Sequence, residues 1–283
     1  MWFFLSLISA VSWSLTDVFG KKLTKIYPVL TTLTYRYIFS IPFLLIYLAF
    51  INIPKVDPNF WLVVLILLPM ELAAATLYLK AITVSPMSLV TPFVAFTPVF
   101  LLLTSFFILG ETVSTGGAIG IILIAAGAYM INFSRSNYLI PFKKIFREKG
   151  ILMMLGVAFL YSITSNLGKV AIQYSSSSFM GIFYTSLLGI SFLLLTKIKK
   201  YKLKPKRMNI NFVFIGLFNA IMMISHMVAI NYIQVAYMIA VKRTSLLFGV
   251  LFGYMFFYEK ELGKRLVAAA IMLAGVIIIL VFS

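Results

Sequence analysis

NFWLVVLILLPMELAAATLYLK, residues 59–80, carries one acidic residue, Glu71, near its middle. At about 1.5 Å of rise per residue, about 20 apolar residues cross the ~30 Å hydrocarbon layer of a bilayer. The stretch therefore reads as a membrane-spanning helix. A strand of a membrane barrel would alternate apolar and polar residues, and this run does not. Nine further runs of the same kind fall near 2–21, 28–50, 86–109, 114–132, 150–170, 179–197, 210–230, 235–257 and 264–282. Composition agrees. Hydrophobic residues make up 62% of the 283 and charged residues 11%, with a mean hydropathy of +1.06. Soluble domains run about 25% charged, so there is too little polar surface here to wrap a water-facing globule. The expected fold is an all-α integral membrane domain with ten transmembrane helices and no extramembrane domain. The first run lacks a basic leader and a small-residue cleavage site, so it reads as a retained helix.

Several chemistries are not expected. Without cysteine there are no disulfides, thiolate metal sites or cysteine nucleophiles. The single histidine, His226, cannot build a multi-histidine metal site. The only aspartates are Asp17 and Asp57, and Asp57 lies in a loop, so no intramembrane aspartyl pair is available. Gly189-Ile190-Ser191 lacks the glycine that would follow in a nucleophile elbow. Neither HExxH nor GxxxxGK[ST] occurs. The reading is that the chain is not an enzyme and needs no cofactor or metal.

Lysine and arginine total 24 against 7 acidic residues, a net charge of +17. In a membrane protein such an excess points to basic loops against an anionic leaflet, not to nucleic acid. Nineteen of the basic residues fall in or beside the odd-numbered loops, and only Lys55 and Lys169 in the even ones. The positive-inside rule then places the odd loops in the cytoplasm and both termini outside.

Shifting the chain by 148 residues aligns its halves without a gap. Gly20-Lys21 falls on Gly168-Lys169, Ala81-Ile82 on Ala229-Ile230, Glu111 on Glu259, and Ala126-Gly127 on Ala274-Gly275. One offset holds across five successive hydrophobic runs. Residues 1–132 and 150–283 thus read as two five-helix repeats joined by a linker at 133–149. Five is odd, so the second repeat enters from the opposite side and the repeat is inverted. Transporters with such repeats carry their substrate site near the midplane.

Trp13, Arg36, Ala81-Ile82, Pro98, Gly110-Glu111 and Gly127, with Ala229-Ile230, Tyr258-Glu259 and Gly275 in the second half, resemble the drug/metabolite transporter superfamily in its ten-helix EamA-like branch. The resemblance covers nearly the whole chain. One departure is Leu246, which stands where the first half has Pro98. The resemblance implies a secondary transporter of small metabolites in the cell membrane, working by alternating access. It also implies both termini inside, against the loop charges.

A charge at the centre of a span costs roughly 2.5–3.5 kcal/mol on insertion scales, so each polar residue there needs a partner or a task. Glu71 and Asn219 are repeat-mates at mid-depth, and Tyr78 and His226 are repeat-mates two turns further on. Glu71 is the candidate proton carrier. Asp17 and Arg36 lie at similar depth on the first two helices and read as a gate or a brace. Lys242-Arg243 lies well inside the ninth run, and the organophosphate-transporting branch of the superfamily is similar in using a Lys-Arg pair on that helix. Lys242 and Arg243, with Asn219, His226 and Tyr78, are the candidate substrate-binding residues. Two cations favour an anionic or zwitterionic metabolite. The rival readings are an amino-acid or cationic-drug exporter, in which Glu71 and Asp17 hold the ammonium group, and a lipid or lipid-linked-sugar flippase. Small-residue spacings at Gly116-xxx-Gly120, Gly249-xxx-Gly253 and Ala270-xxx-Ala274 permit close helix contact. A monomer packed internally is favoured, with a homodimer as the alternative. Other partners are the metabolite and membrane lipids.

Overall fold

Inside a bilayer, backbone N–H and C=O groups can be satisfied only within the chain, so apolar runs of this length fold as helices. The computed structural model describes residues 1–85, 90–131, 148–201, 203, 209–257 and 266–283. Among them every regular element is helical and no strand occurs. The elements are α1 (Trp2–Thr24), α2 (Val29–Ile38), α3 (Ile41–Leu48), α4 (Pro58–Val84), a 3₁₀ segment (Thr91–Phe96) leading into α5 (Thr97–Leu109), α6 (Thr115–Ile131), α7 (Lys149–Gln173), α8 (Ser177–Ile198), α9 (Ile210–Asn231), α10 (Val235–Lys242), α11 (Ser245–Phe257) and α12 (Leu266–Phe282). Among the described residues, seven stretches are long and apolar enough to cross a membrane, while α6 and α12 are apolar but shorter. Large apolar side chains face outward, as at Leu65 (71% exposed) and Phe107 (80%), which suits lipid and not water. This is a multi-pass membrane protein. The expected linker at 133–149, apart from its last two residues, and Glu259, the repeat-mate of Glu111, lie outside the described residues.

Three runs expected as single helices are interrupted. Between α2 and α3, Pro42 supplies no N–H, and the Ser40 N–H turns tightly to the Tyr37 carbonyl at 3.1 Å. The run at 86–109 enters α5 through a 3₁₀ segment, with Pro92 and Pro98 each near the start of its element. Between α10 and α11 no proline is involved. There the Thr244 N–H (3.0 Å) and the Thr244 Oγ1 (2.7 Å) both donate to the Val241 carbonyl. A side chain that bonds its own backbone in this way competes with the helical ladder. Because of this break, Lys242 and Gly249 do not share one continuous helix face.

The chain divides into two compact units. The first holds Met1–Leu68 and Gly168–Tyr232; the second holds Pro69–Leu167 and Ile233–Ser283. One boundary falls inside α4 at its internal proline, Pro69. A second falls inside α7 at Leu167–Gly168, and a third at Tyr232–Ile233, between α9 and α10. Each unit therefore takes residues from both sequence halves.

In the first unit α1 runs against α9. Phe19 stacks on Phe214 and Phe218 with ring centroids at 5.0 and 5.8 Å, and the Ser9 hydroxyl donates to the Met222 carbonyl at 3.3 Å. Helix α2 lies on α8. Tyr37 stacks on Phe192, and the Thr34 hydroxyl meets that of Thr196 at 2.8 Å.

In the second unit α6 and α12 cross at glycine. A Cβ built on Gly120 would stand 2.8 Å from the Gly275 carbonyl oxygen, and one on Gly275 would stand 2.7 Å from that of Gly120. The Gly116-xxx-Gly120 spacing is thus used within the unit.

Candidate functional site

The C-terminal end of α10 carries two cations. Lys242 is its last residue and Arg243 its C-cap, and they are 5% and 4% exposed. Positive charge at a helix C-terminus is favourable because the last carbonyls carry partial negative charge. The Arg243 Nη2 donates to the Thr97 hydroxyl at 2.7 Å. Thr97 is fully buried at the start of α5, and its hydroxyl donates onward to the Val94 carbonyl at 2.7 Å. Thr97 therefore ties Arg243 to the junction of the 3₁₀ segment with α5.

The other end of α10 is also fixed. Helix α5 ends at Gly110 in the left-handed region (φ 68°), where glycine avoids a steric cost. The next residue, Glu111, turns back so that its Oε2 accepts from the Val235 N–H at 2.8 Å. Val235 is the first residue of α10, so Glu111 caps that helix with a negative group where its dipole is positive. Ser114 adds a second clamp, its N–H and hydroxyl each 3.1 Å from the Tyr237 hydroxyl oxygen. Tyr237 is buried over Gly117, where any Cβ would collide with its ring. A short helix of eight residues is held at both ends, and its far end carries the cations.

In the first unit, Arg36 lies in a closed ring of hydrogen bonds. Its Nε donates to Asn219 Oδ1 at 2.6 Å. Asn219 Nδ2 donates to the Ser40 hydroxyl at 2.9 Å, which donates to the Arg36 carbonyl at 2.7 Å. A guanidinium can only donate, so the amide orientation of Asn219 is fixed by chemistry. The guanidinium carbon is 5.4 Å from the Trp13 ring and 5.6 Å from the Tyr37 ring, within cation–π range.

The remaining sequence candidates divide between the units. His226 is buried on α9, two turns past Asn219, and Asp17 is partly buried on α1; both belong to the first unit. Glu71 and Tyr78 belong to the second, with Lys242 and Arg243. Glu71 is partly buried on α4, two residues past Pro69. Tyr78 packs in an apolar cluster with Val90, Phe93, Val94, Ile151, Met154 and Val157.

Two stretches of the chain, residues 1–133 and 148–281, match the EamA-like transporter family. The chain belongs to the EamA-like transporter family. Membership makes it a membrane transporter of the drug/metabolite type and points away from an enzyme. Among 27 solved chains that match, a crystal structure described only as that of a protein has a TM-score of 0.76 at 12% identity, covering 98% of this chain and 95% of the other. At that identity the likeness concerns the fold alone. No curated protein sequence matches the chain.

Three residues missed in the sequence join these candidates. Thr97 was hidden because a threonine beside a proline reads as a helix start. Glu111 was visible as part of the Gly110-Glu111 pattern, but its task depends on α10 starting beside it. Asn166, fully buried on α7, stands within an apolar run and could have been flagged. Its Nδ2 donates to Thr104 Oγ1 (3.1 Å) and the Ser162 carbonyl (3.0 Å), while its Oδ1 accepts from Ser105 Oγ at 2.8 Å. It joins α7 to α5 within the second unit.

Proposed function

We propose that this EamA-like protein is a secondary active transporter of small anionic or zwitterionic metabolites in the cell membrane, crossing ten times and working by alternating access. Lys242 and Arg243 are the substrate-binding cations, and Glu71 carries the coupled proton. The observation that supports this reading most is the burial of two adjacent cations at the interruption between α10 and α11. Holding two charges inside a span is costly, and a bound anion offsets that cost in the loaded state. Broken helices are where secondary transporters coordinate charged substrates. A planar guanidinium binds carboxylate or phosphate with two parallel hydrogen bonds.

Reconstituted vesicles offered phosphorylated sugars, dicarboxylates, neutral amino acids and quaternary amines side by side test the proposal. Anion uptake should dominate. Lys242→Gln should weaken anions at least tenfold more than neutral compounds, and Arg243→Lys should lower affinity although charge is kept. Preference for the amines with Lys242→Gln fully active would replace this reading with a cationic exporter.

A further inference from the structure

Arg36 sits inside the α2–α3 span, far along the chain from the Lys242–Arg243 pair and in the other compact unit. Among the described residues its guanidinium has one hydrogen bond, from Nε to Asn219, and the rings of Trp13 and Tyr37 lie within cation–π range. The acceptor is a neutral amide. Of the five N–H donors of a guanidinium, the four on Nη1 and Nη2 have no protein acceptor among the described residues. A cation within a span needs a counter-charge or a task.

The group is also rigidly presented. The ring Arg36–Asn219–Ser40 returns to the Arg36 backbone, so side-chain and main-chain positions are fixed together. Asn219 and Ser40 are fully buried. This is a donor held in place by a supporting shell, as binding sites require. Unsatisfied groups lie on the same helices. Ser14, beside Trp13 on α1, and Thr31 and Thr32 on α2 have buried hydroxyls without a hydrogen-bond partner. Thr32 precedes Arg36 by four residues and shares its helix face. Buried hydroxyls are nearly always bonded, so three without a partner on the two helices that carry Trp13 and Arg36 point the same way as the spare guanidinium donors.

We propose that Arg36 is a second oxyanion-binding point, specific for a carboxylate and independent of the Lys242–Arg243 site. Carboxylate is favoured over a phosphate dianion because a single guanidinium balances one negative charge. A carboxylate is planar, matches the guanidinium fork, and accepts from both Nη groups. Asn219 is a positioning residue in this scheme, since it holds Nε and leaves the other nitrogens to the ligand.

Trp13 makes the site observable. In full-length protein with Trp2→Phe and Trp61→Phe, Trp13 is the remaining tryptophan. Titration with sodium acetate at constant ionic strength should change its emission saturably, and inorganic phosphate should act at least tenfold more weakly. Arg36→Gln should remove the response. Asn219→Asp preserves shape but supplies an internal carboxylate to Arg36, so it should also suppress acetate binding at least tenfold while the protein stays folded. Lys242→Gln should leave the acetate response intact, so this result stands or falls apart from the transport proposal. A non-saturating response, one unchanged in Asn219→Asp, one stronger for phosphate, or one lost in Lys242→Gln would each overturn the assignment.

Discussion

Removing the carboxylate of Glu111 tests whether α10 is positioned from its N-terminus. Glu111 Oε2 accepts from the Val235 N–H at 2.8 Å, and Val235 is fully buried, so water cannot easily replace the acceptor. Glu111→Ala leaves a buried donor unsatisfied, which costs about 1–3 kcal/mol. Glu111→Gln keeps a side-chain oxygen but loses the charge that faces the helix dipole, worth ~0.3–1 kcal/mol. At roughly 2–4 °C per kcal/mol for large domains, the alanine variant should melt roughly 2–12 °C lower and the glutamine variant about 1–4 °C lower. Thermal unfolding of detergent-solubilised protein measures both. Anion affinity provides a second readout, because Lys242 and Arg243 sit at the other end of the same eight-residue helix. Both variants should bind anions more weakly, in the same order as their melting shifts. If Glu111→Ala melts and binds like the parent, the cap is not holding α10. If Glu111→Gln is as damaging as alanine, charge and not hydrogen bonding is what matters.

Gly120→Val should separate α6 from α12, because its Cβ would stand 2.8 Å from the Gly275 backbone oxygen and from the Ile279 side chain. Overpacking of this kind costs typically ~1–3 kcal/mol, and a melting temperature equal to the parent's would contradict the close crossing. Glu71→Gln should abolish uphill, proton-driven accumulation in vesicles while counterflow exchange continues, and unaltered accumulation would remove Glu71 from the coupling step.

Helix extents were legible in the sequence because lipid imposes both length and apolarity. The runs read at 210–230 and 264–282 fold as Ile210–Asn231 and Leu266–Phe282. The interruptions were not legible from hydropathy, since apolar residues continue straight across them. Pro42 offered a signal for the first, but a proline inside an apolar run is often tolerated in membrane helices. The α10–α11 break has no such mark. It comes from a threonine bonding its own backbone, and the same residue type lies in many unbroken helices. Depth along a span put Arg36 level with Asp17. Depth does not say which helices are neighbours, and the Nε bond to Asn219 follows from α9 packing beside α1 and α2.

The three interruptions share a physical pattern that ties the fold to its polar residues. Each places a polar side chain where the regular ladder of backbone hydrogen bonds is relaxed. Ser40 stands between α2 and α3 and closes the Arg36–Asn219 ring. Thr97 stands where the 3₁₀ segment becomes α5 and accepts from Arg243. Arg243 itself stands between α10 and α11. An unbroken helix buries its carbonyls and amides in their own ladder, so an arginine on it must find all its partners on other helices. A broken helix brings its own side-chain hydroxyls and freed backbone groups to the same depth, which lowers the cost of keeping a cation there. The breaks and the cations are therefore one feature, and a substitution that restores a regular ladder, such as Thr244→Ala, should make Arg243 costlier to retain than it is in the parent chain.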